Sequence, residues 1–160
     1  TTGVVETKRL TAEYIPKIDT QSILKLPQYE FDKMRPTLLV VDDEIEMLWF
    51  IGEIFSADFN VVTLQDPERL DQVMNEVYPN VIICDVMMPV MDGYQVLNTI
   101  RNMEKQRGIE GDDRVKIVMM TALNEQKNVR KAFEMGCTVY CAKPVDLDKL
   151  KNVLKKLKLI

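Results

Sequence analysis

Short continuous runs of apolar residues alternate along this chain with longer stretches whose apolar residues recur at helical spacing. The apolar runs, rich in Val, Ile and Leu, are typical of strands buried on both faces and predict strands at 37–41, 60–64, 81–84, 115–120 and 138–142. The periodic stretches predict helices at about 44–57, 66–77, 94–103 and 124–135, with a last helix from Asp146 onward. Strands and helices in this alternation predict an α/β fold, a doubly wound five-stranded parallel sheet flanked by five helices.

Acidic residues directly follow two of the predicted strands. Asp42 and Asp43 come after the first strand, and Asp85 comes after the third. Because ligands of an open parallel sheet bind beyond the carboxyl ends of its strands, we expect these carboxylates at the ligand-binding edge. Their mutual repulsion favours a cation among them, and carboxylate oxygens suit a hard divalent metal. An alternative for Asp42 and Asp43 is that they cap the following helix, since acidic groups stabilise helix N-termini.

The composition is that of an ordinary globular domain, with 46% hydrophobic and 29% charged residues. The formal net charge of −4 argues against direct nucleic-acid binding. No apolar run reaches the roughly 18 residues of a membrane span, and no signal-peptide pattern opens the chain. The absence of histidine excludes catalytic schemes that need one. We expect a cytoplasmic protein with reduced core thiols at Cys84, Cys137 and Cys141.

Residues 1–36 differ from the rest of the chain, because they contain prolines and scattered apolar residues without a sustained period. This pattern predicts a partly ordered N-terminal extension or interdomain linker, followed by one domain over residues 37–160. A second interpretation is a strap that docks through its aromatic residues on the domain or on a partner.

From Leu38 onward the chain resembles the receiver domain of bacterial two-component response regulators. The matching motifs each stand at or near a strand end and follow in chain order: Asp42-Asp43-Glu44, Asp85-Val86-Met87-Met88-Pro89, Asp92-Gly93, Thr121-Ala122 and Lys143-Pro144. The resemblance implies the flavodoxin-like receiver fold and a phosphorylation-dependent signalling switch that is not a turnover enzyme. The polar stretch 104–114 is predicted to form the end of the third helix and the loop after it. It is longer than the corresponding stretch of compact receiver domains.

The resemblance also implies roles for the acidic residues. Asp85 would be the phosphoacceptor, and Asp carboxylates are known nucleophiles in phosphoryl transfer. Asp42, Asp43, Asp85 and the backbone carbonyl of Met87 would bind Mg²⁺, which prefers few carboxylates together with water and phosphate oxygens. The alternative for Asp85 is a third metal ligand without covalent chemistry.

Further roles follow from the resemblance at the last two strands. Lys143 would neutralise phosphoryl oxygens, with a cis peptide bond to Pro144, although a lone lysine at a strand end is often only a surface residue. Thr121 would donate a hydrogen bond to the phosphoryl group, and the small Ala122 would leave room for the donor. Thr121 and Tyr140 would form the switch, in which the ring follows the threonine; Tyr140 could instead be an ordinary strand aromatic.

Met87 and Leu123 occupy positions that, in this family, flank the water that hydrolyses the acyl phosphate. Both side chains are apolar here and cannot orient a water molecule. We therefore expect slow autodephosphorylation and a long-lived phosphoryl state.

The expected partners are a histidine kinase or a phosphotransfer protein as phosphodonor. The phosphorylation state would be read at the surface of the fourth helix, fifth strand and fifth helix, as a homodimer or by a downstream protein. This readout face carries Lys127, Arg130, Lys131, Tyr140, Lys149 and Lys151. The same charges are also consistent with an ordinary solvated surface.

Two other functions are consistent with parts of the pattern. A phosphohydrolase of the haloacid dehalogenase type needs a second Asp two residues after the nucleophile, where this chain has Met87. A receiver fold can also serve as a phosphate-independent interaction module. The chain itself could be a single-domain regulator or part of a longer protein such as a hybrid kinase.

Overall fold

Two parallel strands and two helices form the first part of the chain in a computed structural model, which describes residues 34–122, 126–144 and 146–158, without the side chains of 126 and 127. The predicted extension over residues 1–36 lies almost wholly outside this range. The chain divides between Pro79 and Asn80 into two compact units. The first unit contains β1 (Thr37–Val41), α1 (Ile45–Phe55), β2 (Asn60–Leu64) and α2 (Leu70–Glu76), with a 3₁₀ turn at Pro67–Arg69.

Burial in this unit follows the apolar pattern along the strands. β1 and β2 pair in parallel, from Thr37 opposite Asn60 to Val41 opposite Leu64. Every residue of β2 is buried, and so are the last four of β1.

The apolar stripe of α1 is narrower than its sequence suggested. The helix buries Leu48, Ile51 and Phe55, whereas Ile45 and Trp49 are 36% and 37% exposed. Ile45 and Trp49 therefore lie at the margin of the buried stripe. Asp66 caps the 3₁₀ turn at Pro67–Arg69, because its side chain accepts a hydrogen bond from the Glu68 amide.

The second unit contains three strands, each followed by a helix. They are β3 (Val81–Asp85), α3 (Gly93–Gln106), β4 (Lys116–Thr121), α4 (Gln126–Glu134), β5 (Val139–Ala142) and α5 (Leu147–Lys156). β3 pairs in parallel with β4, so that Asp85 lies opposite Met120. β4 pairs in parallel with β5, so that Thr121 lies opposite Ala142.

In both units the strands pair in parallel and alternate with helices. This alternation confirms the predicted α/β fold, and each predicted strand lies within one residue of its observed bounds. Within the described residues, none of the helices combines the length and apolar character that crossing a bilayer requires.

Candidate functional site

Asp85 is the last residue of β3, and its side chain is 4% exposed. The Lys143 ammonium nitrogen lies 3.2 Å from Asp85 Oδ1. The backbone amide of Met87 donates a longer hydrogen bond to the same oxygen at 3.3 Å. A carboxylate buried beside a cation is thus held at the carboxyl end of a central strand, where an incoming anion would meet both charges.

Thr121 and Lys143 are joined through the backbone at the ends of β4 and β5. The Lys143 amide donates to the Thr121 carbonyl oxygen at 2.7 Å, one residue beyond the paired Thr121 and Ala142. Thr121 is fully buried, whereas Ala122 is exposed. The peptide bond between Lys143 and Pro144 is cis, as expected. The ends of β4 and β5 therefore bring Thr121, Ala122 and Lys143 together at the carboxyl edge of these strands.

Asp42 and Asp43 follow β1 and differ in burial. Asp42 is 1% exposed, and its Oδ1 accepts a hydrogen bond from the Glu44 amide at 2.9 Å. Asp43 is half-buried, and Gln65 Nε2 donates to its carbonyl oxygen at 3.0 Å. The N-cap of α1 is Glu44, without a side-chain capping bond. The alternative of Asp42 and Asp43 as a pair of N-caps is therefore wrong.

Asp42 and Asp43 lie at the carboxyl end of β1, Asp85 lies at the carboxyl end of β3, and each offers carboxylate oxygens. A set of carboxylate oxygens without nitrogen or sulfur suits a hard divalent cation such as Mg²⁺. The donor chemistry of these residues therefore fits the predicted metal.

Gly93 allows α3 to begin directly against the phosphoacceptor candidate. A Cβ atom at this position would lie 2.7 Å from both the Asp85 carbonyl oxygen and Val86 Cα. The Gly93 amide donates to the Val86 carbonyl oxygen at 2.9 Å. Asp92 and Gln95 complete a capping box at the same helix end. The Asp92-Gly93 motif thus fixes the start of α3 on the backbone of Asp85.

Tyr94, the next residue, was missed by the sequence argument. Its hydroxyl donates to the Asn128 carbonyl oxygen at 3.4 Å, and Lys131 Nζ lies 5.0 Å from its ring centroid. Burial, and after it the neighbouring Tyr140 hydroxyl, raise the pKa of Tyr94. Tyr140 lies opposite Met119 in the sheet, and its hydroxyl oxygen is buried. The signal that could have revealed Tyr94 is its place directly after Asp92-Gly93.

The loop after β3 presents apolar side chains to solvent. Met87 and Val90 are 57% and 66% exposed. Leu123, the second residue predicted to tune the phosphoryl lifetime, lies outside the described residues.

The thiols differ from the predicted core set at one position. Cys84 and Cys137 are buried, but Cys141 is half-buried, and all three are free. The Cys137 thiol donates to the Val139 carbonyl oxygen at 2.9 Å. Burial raises the pKa of Cys137 to about 11 and also raises that of Cys141. The prediction of a core thiol was therefore wrong for Cys141.

Comparison with known proteins agrees with the fold and the strand-end motifs. The family model of the response regulator receiver domain matches residues 38–155. The chain therefore belongs to the response regulator receiver domain family, whose members are signalling switches of two-component systems.

Individual relatives show how much of the chain is shared. The chain is 25% identical over 125 residues to sporulation initiation phosphotransferase F of Bacillus subtilis (strain 168), covering 77% of this chain and 94% of that protein. It is 32% identical over 121 residues to the probable transcriptional regulator ycf27 of Cyanophora paradoxa. That match covers 75% of this chain but only 47% of the relative, so this chain spans about half the length of that protein.

A solved structure supports the same fold. The co-crystal structure of the Saccharomyces cerevisiae histidine phosphotransfer signalling protein Ypd1 with the receiver domain of its response regulator Ssk1 matches with a TM-score of 0.69 and 26% identity. The match covers 77% of this chain and 88% of the other.

Proposed function

We propose that this chain is a phosphorylation-dependent switch in which Asp85 accepts a phosphoryl group. The observation that carries the proposal is the buried Asp85 carboxylate with Lys143 Nζ 3.2 Å away, at the carboxyl edge of a parallel sheet. Such a lysine neutralises the charge of phosphoryl oxygens as they approach a carboxylate that would otherwise repel them.

The proposed transfer needs positioning and charge neutralisation. An Asp85 oxygen attacks phosphorus and forms the acyl phosphate, while the bond to the donor breaks and the leaving group keeps its electron pair. Thr121 would donate a hydrogen bond to the phosphoryl group, and the exposed Ala122 would leave space for the donor.

The metal site belongs to the same proposal. Asp42, Asp43, Asp85 and the Met87 carbonyl oxygen would hold Mg²⁺, which when bound adds charge neutralisation at the phosphoryl oxygens. The chemistry of the donor set supports this assignment, because all three side chains offer carboxylate oxygens at the carboxyl ends of β1 and β3.

The proposed phosphodonor is a histidine kinase or a phosphotransfer protein, and small acyl phosphates would serve in vitro. Support comes from the names of two similar proteins, a sporulation phosphotransferase and a receiver domain crystallised with a histidine phosphotransfer protein. Both match 77% of this chain.

The readout face is proposed as the surface that reports phosphorylation, through a homodimer or a downstream protein. Arg130, Lys131 and Lys149 are exposed there, and Phe133 adds an apolar side chain that is 47% exposed. Thr121 is expected to move toward the phosphoryl group, and Tyr140 to follow it into the vacated space.

Intact-mass spectrometry with acetyl phosphate and Mg²⁺ tests the proposal. The wild type should gain about 80 Da, the mass of one phosphoryl group. Asp85→Asn should not gain this mass, whereas the matched variant Asp113→Asn, at an exposed aspartate, should label like the wild type. A wild type that stays unlabelled would contradict the proposal and favour a phosphate-independent interaction module.

A further inference from the structure

Tyr94 contacts two parts of the molecule that the proposed switch must connect. Its backbone continues from Gly93, which lies against the Asp85 and Val86 backbone so closely that a Cβ atom would not fit. Its side chain reaches α4, where the hydroxyl donates to the Asn128 carbonyl oxygen. Tyr94 therefore spans from the phosphoacceptor segment to the first turn of α4.

The ring of Tyr94 also holds a cation of the readout face. Lys131 Nζ lies 5.0 Å from the ring centroid, within the distance of a cation–π interaction. The buried Tyr140 hydroxyl neighbours the same side chain. One side chain thus contacts a helix, a readout lysine and the predicted switch aromatic.

We infer that Tyr94 is a positioning residue that couples the phosphoacceptor segment to α4 and Tyr140, and that its contacts with Asn128 and Lys131 differ between the two phosphorylation states. The inference deepens the proposed function and rests on it. Tyr94 does not touch the reacting atoms; it acts through α4 and through Tyr140.

The contacts of Tyr94 with Asn128 and Lys131 are weak, so that they can form and break as the phosphorylation state changes. A hydroxyl-to-carbonyl distance of 3.4 Å is longer than the usual O–H···O hydrogen bond, so this bond is weak. Lys131 is exposed, which weakens its attraction to the ring. The start of α3, in contrast, is fixed by a capping box and by the Gly93 amide. Movement is therefore expected at the α4 end of the connection.

Hydrogen exchange of the full chain with and without beryllofluoride and Mg²⁺ tests the inference, since beryllofluoride substitutes for the phosphoryl group. Tyr94→Phe keeps the ring and removes the hydroxyl. In the unliganded state, exchange in Gln126–Glu134 should become faster by roughly threefold to tenfold, and the change on adding beryllofluoride should shrink. Tyr78→Phe is the matched control outside this cluster and should behave like the wild type. A merely structural role would speed exchange equally in both states and would overturn the inference.

A double-mutant cycle measures the coupling to Tyr140 directly. The apparent affinity for beryllofluoride is measured for the wild type, Tyr94→Phe, Tyr140→Phe and the double variant. The two substitutions should not be additive in the free energy of beryllofluoride binding, because the hydroxyls are neighbours. Additive effects, with wild-type binding intact, would overturn this inference and leave the proposed function standing. A wild type that does not bind beryllofluoride would overturn both.

Discussion

The roles of individual residues at this site depend on burial as much as on charge. Asp85 was predicted from its place after an apolar run, which is visible in the sequence, and Lys143 was predicted from the resemblance to receiver domains. Tyr94 could not be identified in this way. Its place directly after Asp92-Gly93 is visible in the sequence, but its contacts with Asn128 and Lys131 are visible only in the folded chain.

Met87→Asn tests the proposed long lifetime of the acyl phosphate. The Met87 side chain is 57% exposed and cannot orient a water molecule, whereas an amide can. Decay of the labelled protein, followed by intact mass, should be faster in the variant by about threefold, which corresponds to about 0.7 kcal/mol in the barrier. Val90→Asn places the same amide at a 66% exposed site in the same loop and should leave decay unchanged. Equal decay of wild type and Met87→Asn would contradict the hypothesis.

Gly93→Ala tests the close contact between Gly93 and the backbone of Asp85 and Val86. The added Cβ would lie 2.7 Å from two backbone atoms, which cannot rotate away. We expect the free energy of unfolding in urea to fall by about 1–3 kcal/mol. Gly52→Ala is the control, because its Cβ would meet side-chain atoms at an ordinary 3.7 Å inside α1 and should be neutral or stabilising by about 1 kcal/mol at most. If the free energy of unfolding fell equally in Gly93→Ala and Gly52→Ala, the close backbone contact at Gly93 would not explain the destabilisation.

At the scale of elements, a buried ion pair joins the end of α3 to its neighbours. Glu104 is 1% exposed and accepts hydrogen bonds from Arg101 and from the Val115 amide, each at 2.6 Å. Arg101 also donates to the Gly136 carbonyl oxygen. The sequence predicted only a polar helix end and loop over 104–114. Hydrophobic periodicity could not show that one glutamate of this stretch turns inward, since its partners are the Arg101 side chain and the backbone amide of Val115 beyond the loop.

Glu104→Gln should destabilise the second unit. A neutral amide leaves the largely buried Arg101 without its counter-charge and cannot accept both hydrogen bonds equally well. The expected loss in the free energy of unfolding is about 1–3 kcal/mol, measured by urea denaturation. Glu110→Gln, at an exposed position of the same stretch, should change stability by less than about 0.5 kcal/mol. An unchanged midpoint for Glu104→Gln would show that the ion pair contributes no net stability.

At the scale of the whole molecule, the order of elements and the strand bounds followed from the sequence, because a parallel sheet buries both faces of its strands. The surface residues of α1 did not follow, since periodicity shows an apolar stripe but not which of its members meet the sheet. The charged readout face also remains a prediction, because a solvated surface and a partner-binding surface share the same composition.

We expect the free energy of unfolding to fall at alkaline pH, in part because the Cys137 thiol is buried. Burial raises its pKa in the folded state from 9.0 to about 11, so the unfolded state loses this proton first as pH rises. The contribution of this thiol is complete below pH 9 and is lost as pH rises toward 11. Urea unfolding across this range should show a smaller decline for Cys137→Ala than for the wild type. If the free energies of unfolding of the wild type and of Cys137→Ala declined equally with pH, a contribution of Cys137 would be contradicted.

The central claim is that one phosphoryl group arrives on Asp85 with the help of a divalent cation. Peptide mapping by mass spectrometry after incubation with acetyl phosphate, with Mg²⁺ or with a chelator, tests it most directly. The account predicts a single added mass of about 80 Da on the peptide that contains Asp85, and its loss in the presence of the chelator. A label on another peptide, or labelling that the chelator does not affect, would contradict it.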